Sequence, residues 1–252
     1  SVAGHANVSR VIGVRSSAQV SGEDHIGGIV GYADGFNPSK MLIAKSGFTG
    51  AVTSSAGNGG GIVGTANNGY TIEDTYINGN IAGVTAGGII GRSQNACGWR
   101  YINRSFAYGT VNGSSIAGGI VGNYNNAVCH VSEINNSGAN VAMPGAGTEG
   151  GVIGIISGSN LVFTNVGFSF TQSGLNNCYA SSTSANPSCF DISSFNPPND
   201  VPFSSLDYEN TWDAGGGLAV VSWPISTSTY GGPAQLSNFE ANEGSRKSEV
   251  HL

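Results

Sequence analysis

Gly60-Gly61-Ile62-Val63-Gly64 and, 27 residues on, Gly87-Gly88-Ile89-Ile90-Gly91 are copies of one unit: a glycine pair, two aliphatic residues and a further glycine. Three more copies are Gly27-Gly28-Ile29-Val30-Gly31, Gly118-Gly119-Ile120-Val121-Gly122 and Gly150-Gly151-Val152-Ile153-Gly154. The five starts lie 33, 27, 31 and 32 residues apart. Self-similarity at a period of about 20–50 residues marks a chain in which each repeat buries its apolar side against the next.

Between these units runs a second motif: an aliphatic residue, two polar residues, Ser/Thr/Asn, often an aromatic, then Gly and a β-branched residue. Ile72-Glu73-Asp74-Thr75-Tyr76-Ile77-Asn78-Gly79-Asn80-Ile81 and Ile102-Asn103-Arg104-Ser105-Phe106-Ala107-Tyr108-Gly109-Thr110-Val111 are the clearest copies. Residues 43–52 and 131–141 are looser ones, residues 11–20 a leading half-repeat and residues 161–172 a trailing one. Ile, Val, Phe, Tyr and Thr interrupted by Gly, Asn and Ser describe strands, and no Gly-free window carries a helical apolar period. The expected fold is all-β, a parallel β-solenoid of about five coils over residues 1–174, with a C-terminal cap and polar tail over 175–252. A β-sandwich is the alternative, but a sandwich has no reason to repeat its turn chemistry. In a solenoid, Ile29, Ile62, Ile89, Ile120 and Val152 form one inward ladder and Val20, Val52, Ile81, Val111 and Val141 another. The motif glycines stand at corners where φ is positive or backbones crowd. The segment 216–223 reads as a strand able to close the open end of the stack, and residues 1–9 enter the first half-coil without a cap. A chain cut from a longer fibre, or docked on a partner there, fits that entry.

Over roughly residues 8–174 these units resemble the GLUG motif (Gly-Leu-hydrophobic-Gly) of bacterial cell-surface and adhesin-like proteins, with Ile or Val in place of the name-giving Leu. Cys189-Phe190-Asp191 resembles the Cys-aromatic-Asp that often follows the last repeat of that family. The resemblance implies an extracellular, repetitive, adhesive or scaffold role and carries no catalytic residue over to this chain.

Only 10% of the 252 residues are charged, against about 25% in a typical domain, so the surface must be built from Asn, Ser, Thr and Gly. With a net charge of −6, three lysines and six arginines, the chain lacks the basic clusters that nucleic acid requires. No run of 18 apolar residues could span a membrane. No charged-then-apolar leader is present, so an exported chain would have lost its signal or carried it outside this sequence. Four cysteines suit an oxidising compartment. Cys97 lies ten residues after Gly87 and Cys129 eleven after Gly118, so repeat register pairs them across adjacent coils and leaves Cys178 with Cys189. A zinc site is the rival use of these cysteines, but no Cys-x-x-Cys occurs.

The surface partner, such as a glycan, is expected at Trp99, Tyr101 and Tyr124, because exposed rings stack on the C–H face of a pyranose. The alternative function is a polysaccharide-processing β-helix enzyme of tailspike or lyase type, which needs paired carboxylates on one face. Its candidates are Glu73, Asp74 and Glu133, with Glu23, Asp24, Asp34 and Glu149 as further acids in the repeats. Glu73 and Asp74 are strand neighbours and so are expected on opposite faces. Asp207, Glu209 and Asp213 offer oxygen ligands at alternate positions that Ca²⁺ would accept, although the EF-hand and RTX patterns are absent. The scattered His5, His25, His130 and His251 form no triad spacing, and no phosphate-binding loop is present. No cofactor is expected.

Overall fold

The computed structural model describes residues 3–7, 9–35, 41–94, 98–125, 130–145, 147–158, 160–182, 187–192, 206, 212–213 and 220–221. Two parallel sheets wind together as a β-solenoid of about six turns. The first stacks Ala3–Asn7, Val30–Gly35, Val63–Asn68, Ile90–Ser93, Val121–Asn125, Ile153–Ser157 and Tyr179–Ser182. The second stacks Arg10–Ile12, Met41–Phe48, Tyr70–Gly87, Arg100–Gly118, Ser132–Ala142, Leu161–Phe168 and Phe190–Asp191.

The glycine motif sets the rung. Val30, Val63, Ile90, Val121 and Ile153 pair in register, all parallel. The preceding residues Ile29, Ile62, Ile89, Ile120 and Val152 are fully buried and pass one continuous chain of backbone hydrogen bonds from coil to coil, at 3.1, 3.0, 2.9 and 2.8 Å. The second expected ladder holds from Val20 through Val52 and Ile81 to Val111. It does not reach Val141, which lies opposite Gly109, because strand 132–142 runs two residues out of the expected alignment.

Crowding, not positive φ, is what the motif glycines serve. A Cβ on Gly88 would overlap the carbonyl oxygen of Gly119 in the next coil and lie 2.5 Å from the Ala107 Cβ. One on Gly91 would meet the carbonyls of Gly64 and Gly59 at 2.6 and 2.7 Å. Among the described glycines only Gly13, Gly109, Gly158 and Gly174 take positive φ.

Positive φ belongs instead to the second motif. Gly13, Lys45, Asp74, Arg104, Asn136 and Asn165 are all left-handed, at φ 70, 48, 50, 45, 48 and 53. They make one stacked bend in which the strand turns without ending. The next residue points inward, and Ser46, Thr75, Ser105 and Ser137 are fully buried there. Their hydroxyls replace ladder bonds that the bend removes. Ser46, Ser105 and Ser137 donate to the carbonyls of Ala44, Asn103 and Asn135, and Ser137 Oγ also accepts from the Ser105 N–H of the neighbouring coil.

One buried charge binds the two sheets together. Arg100, 1% exposed, donates to the carbonyls of Asn68 at 3.1 Å, Asn125 at 2.7 Å and Gln94 at 2.5 Å, and lies over the Tyr124 ring at 5.8 Å. These carbonyls end three successive strands of the first sheet.

The stack does not stop at Gly174. A single helical turn, Phe170–Ser173, is capped by Ser169 and ended by Gly174 at φ 73. Beyond it Tyr179–Ser182 and Phe190–Asp191 add one more rung to each sheet. The Cys178–Cys189 disulfide, Cα–Cα 5.9 Å, joins the residues that immediately precede these two strands. The expected Cys97–Cys129 bridge lies outside the described residues.

The last described strands lie along the side of the stack. Trp212–Asp213 pairs antiparallel with Val220–Val221, which sits beside Met41–Phe48 and Tyr70–Gly87. Trp212 is 1% exposed, donates Nε1–H to Asp74 Oδ1 at 3.1 Å and meets the Phe106 ring edge-on at 5.5 Å. Tyr76 and Phe106 occupy the aromatic position of the second motif and point away from the solenoid core. Each is nonetheless buried. An outer apolar column of this kind must be covered, and covering it draws the chain to the flank of the coils rather than to their open end.

Candidate functional site

The outer face of the second sheet, just before the bend, brings Trp99 and Tyr101 together with the acids Glu73 and Glu133. Register aligns Thr71, Tyr101, Glu133 and Val162 in one column and Glu73, Asn103, Asn135 and Thr164 in the next. Trp99 stands at the edge, 40% exposed. Its ring lies nearly parallel to those of Tyr101, at 6.4 Å and 11°, and His130, at 5.1 Å and 20°. Val131 and Val162 extend the apolar surface into the following rungs. Burial, and then the Glu133 carboxylate, push the Tyr101 phenol above its usual range.

Tyr124 does not belong to this face. It is 1% exposed, because its place in strand 121–125 is in the inward row with Ser93, beneath Arg100. Its place near a loop in sequence suggests exposure, and the strand's alternation decides otherwise. His130, one of four scattered histidines in the sequence, joins the face from just before strand 132–142.

The amides of this face are tied to one another. Asn135 Nδ2 donates to Asn103 Oδ1 at 3.1 Å and to Glu133 Oε2 at 2.9 Å, and Asn165 Nδ2 donates to Asn136 Oδ1 at 2.9 Å. The acids are tied too. Arg104 bonds Asp74 through Nε at 2.7 Å and Nη2 at 2.9 Å, and reaches Glu73 at 3.4 Å. Glu73 and Asp74 therefore share one side. The left-handed φ of Asp74 breaks the alternation that would have separated them.

A second polar group occupies the first coils. Asp24 Oδ1 accepts from the N–H of His25 at 2.7 Å, from the N–H of Asn58 at 2.9 Å and from Asn58 Nδ2 at 3.1 Å. Burial alone would raise its pKa, but these donors and the nearby His25 hold the Asp24 carboxyl below its ordinary value. His25 Nδ1 lies 2.7 Å from Thr65 Oγ1 and 3.4 Å from Asp24 Oδ1. This is not a hydrolytic triad. Both contacts use the same ring nitrogen, whereas a relay needs one partner on each, and Thr65 is fully buried.

The depressed Asp24 pKa has a stability consequence. Because the folded value lies below the unfolded one of about 3.9, its contribution is complete above that pH and is lost as pH falls through the folded value. Asp24→Asn is therefore expected to lower the urea midpoint more at pH 7 than at a pH below the unfolded value of about 3.9. An equal gap at both pH values would show that Asp24 has no such role.

Among the described residues no group of three or more His, Cys, Asp or Glu side chains could hold a metal ion, and no helix is long and apolar enough to cross a membrane. Asp207 and Glu209, two of the three expected calcium ligands, lie outside the described residues. No protein-family model and no curated protein matches the chain. Among solved structures it is similar to a Bacteroides ovatus protein provisionally described as an immunoglobulin A1 protease, with a TM-score of 0.59 and 23% identity over 88% of this chain and 74% of that one. At that identity the likeness shows the fold alone, a β-solenoid.

Proposed function

We propose that this chain is an extracellular binding module, an adhesin-like or scaffold part of a bacterial surface protein or filament, that holds a glycan-bearing partner without turning it over. The observation that carries the reading is the Trp99–Tyr101–His130 stack, set beside register-aligned amide and carboxylate columns on an open face. Rings of this kind give apolar area and direction to a sugar, and neighbouring polar groups meet its hydroxyls. The Cys178–Cys189 disulfide fits an oxidising compartment, and the repeat resembles that of GLUG surface proteins. A stacked surface also offers several weak contacts whose avidity grows with copy number.

The enzyme readings find less support. Glu73 and Asp74 are both engaged by Arg104, and Asp74 also by Trp212, so neither carboxylate stands ready as acid or base. For the peptidase activity in the description of the Bacteroides ovatus protein, the Thr65–His25–Asp24 group is the nearest constellation, and its geometry is unsuitable.

A glycan array with the purified chain tests the proposal. Trp99→Ala is expected to weaken attachment to the ligands found by about tenfold, near 1.4 kcal/mol, and to leave the fold unchanged. Undiminished binding of Trp99→Ala would sink the assignment of this face. Release of oligosaccharide from a polymer that Glu73→Gln abolishes would replace the binding reading with the enzyme one.

A further inference from the structure

A second surface, beyond the bend, has its own geometry. After the left-handed residue the strand runs five or six residues to a shallow corner, and there a longitudinal groove of about 450 Å³ opens. Its floor is Gly50, Gly79 and Gly109 on successive coils. Stacking accounts for these glycines, since a Cβ on Gly79 would overlap the carbonyl oxygen of Gly50, and one on Gly109 that of Gly79. The walls are what stacking leaves unexplained. One carries Ser17, Thr49 and Asn78, and the other carries Gln19, Ala51 and Asn80 in register.

Asn78, Asn80, Gln19 and Ser17 are exposed. Their situation differs from that of the amides before the bend. There Asn103 is bonded to Asn135, and Asn136 to Asn165. Among the described residues, nothing engages the side-chain amides of Gln19, Asn78 and Asn80, so each presents a donor and an acceptor to the groove. None of the lining groups is ionisable.

From this geometry we infer a second binding site, for a neutral linear polysaccharide lying along the solenoid axis. The repeat of the walls is the rung spacing of about 4.8 Å, close to the length of one pyranose unit along a chain, so successive sugars meet Ser17 and Gln19, then the Thr49 hydroxyl, then Asn78 and Asn80. A charged polysaccharide would find no counter-charge. A polypeptide would find no strand edge, because Tyr70–Gly87 is already paired with Ala51–Ser54 on one side and Arg100–Gly118 on the other. The site is separate from the aromatic face and stands or falls independently of it.

The experiment is an NMR titration of the ¹⁵N-labelled chain with four neutral linear hexasaccharides, those of amylose, cellulose, laminarin and xylan, and with the hexamer of polygalacturonate. At least one neutral hexamer is expected to move the side-chain amide resonances of Gln19, Asn78 and Asn80. The double variant Asn78→Ala/Asn80→Ala, whose fold is checked by circular dichroism, should bind that hexamer at least about tenfold more weakly, while Trp99→Ala binds it unchanged. The inference is overturned if no neutral hexamer moves those resonances, if the double variant binds as the parent does, or if polygalacturonate binds at least as well. Loss of binding in Trp99→Ala alone would assign the ligand to the aromatic face instead.

Discussion

Replacing Gly88 by Ala is expected to destabilise the solenoid by about 3 kcal/mol or more or to prevent its folding. The added Cβ would overlap the Gly119 carbonyl and press on the Ala107 Cβ. Neither neighbour can turn away, because the Gly119 carbonyl is backbone between the rungs that Gly88 and Ile89 make to Gly118 and Ile120, and the Ala107 Cβ is fixed to the paired strand Arg100–Gly118. The comparison is Gly174→Ala. Gly174 has φ 73 but nothing within 4 Å of its hypothetical Cβ, so only the left-handed penalty of roughly 1–2 kcal/mol applies. Denaturant midpoints for the two variants separate the effects. If Gly88→Ala proved no worse than Gly174→Ala, close packing of the coils would not be the reason for the motif.

Arg100→Met is expected to lower stability by about 3 kcal/mol. Methionine fills much of the same volume, so the loss reports the guanidinium and not a cavity. Three carbonyls, those of Asn68, Gln94 and Asn125, would lose a charged donor, and a buried acceptor left without one costs about 1–3 kcal/mol. Relief of the desolvated charge offsets part of this. Arg100→Lys should recover little, since one ammonium on a flexible stem cannot reproduce a planar fork aimed at three strand ends. Equilibrium unfolding in urea checks both variants. A change below about 1 kcal/mol in Arg100→Met would mean that the clamp is incidental to the stack.

The rung-to-rung hydrogen bonds of Ile29, Ile62, Ile89, Ile120 and Val152 were legible because identical motifs at near-constant spacing have a single economical solution: parallel stacking of equivalent residues. The fold class, the strand direction and the Cys178–Cys189 pairing all follow from that periodicity, which is a local property of the chain. What depended on register or on distant segments was not legible. Val141 faces Gly109, and Glu73 and Asp74 share a side because a single left-handed residue shifts the alternation. Tyr124 is buried under an arginine from another strand, although its sequence neighbourhood looks like a loop. The meeting of His130 with Trp99 depends on the register of adjacent coils, and the course of Trp212 across the flank to Asp74 and Phe106 joins residues far apart in sequence, with no repeat to relate them. The sequence by itself therefore determined a parallel β-solenoid, since repetition at short range leaves stacking as the only way to bury each coil's apolar side. Only the tertiary structure decided which side chains share a face, because that depends on bends, coil lengths and a returning C-terminal segment whose effects appear only once the coils are stacked.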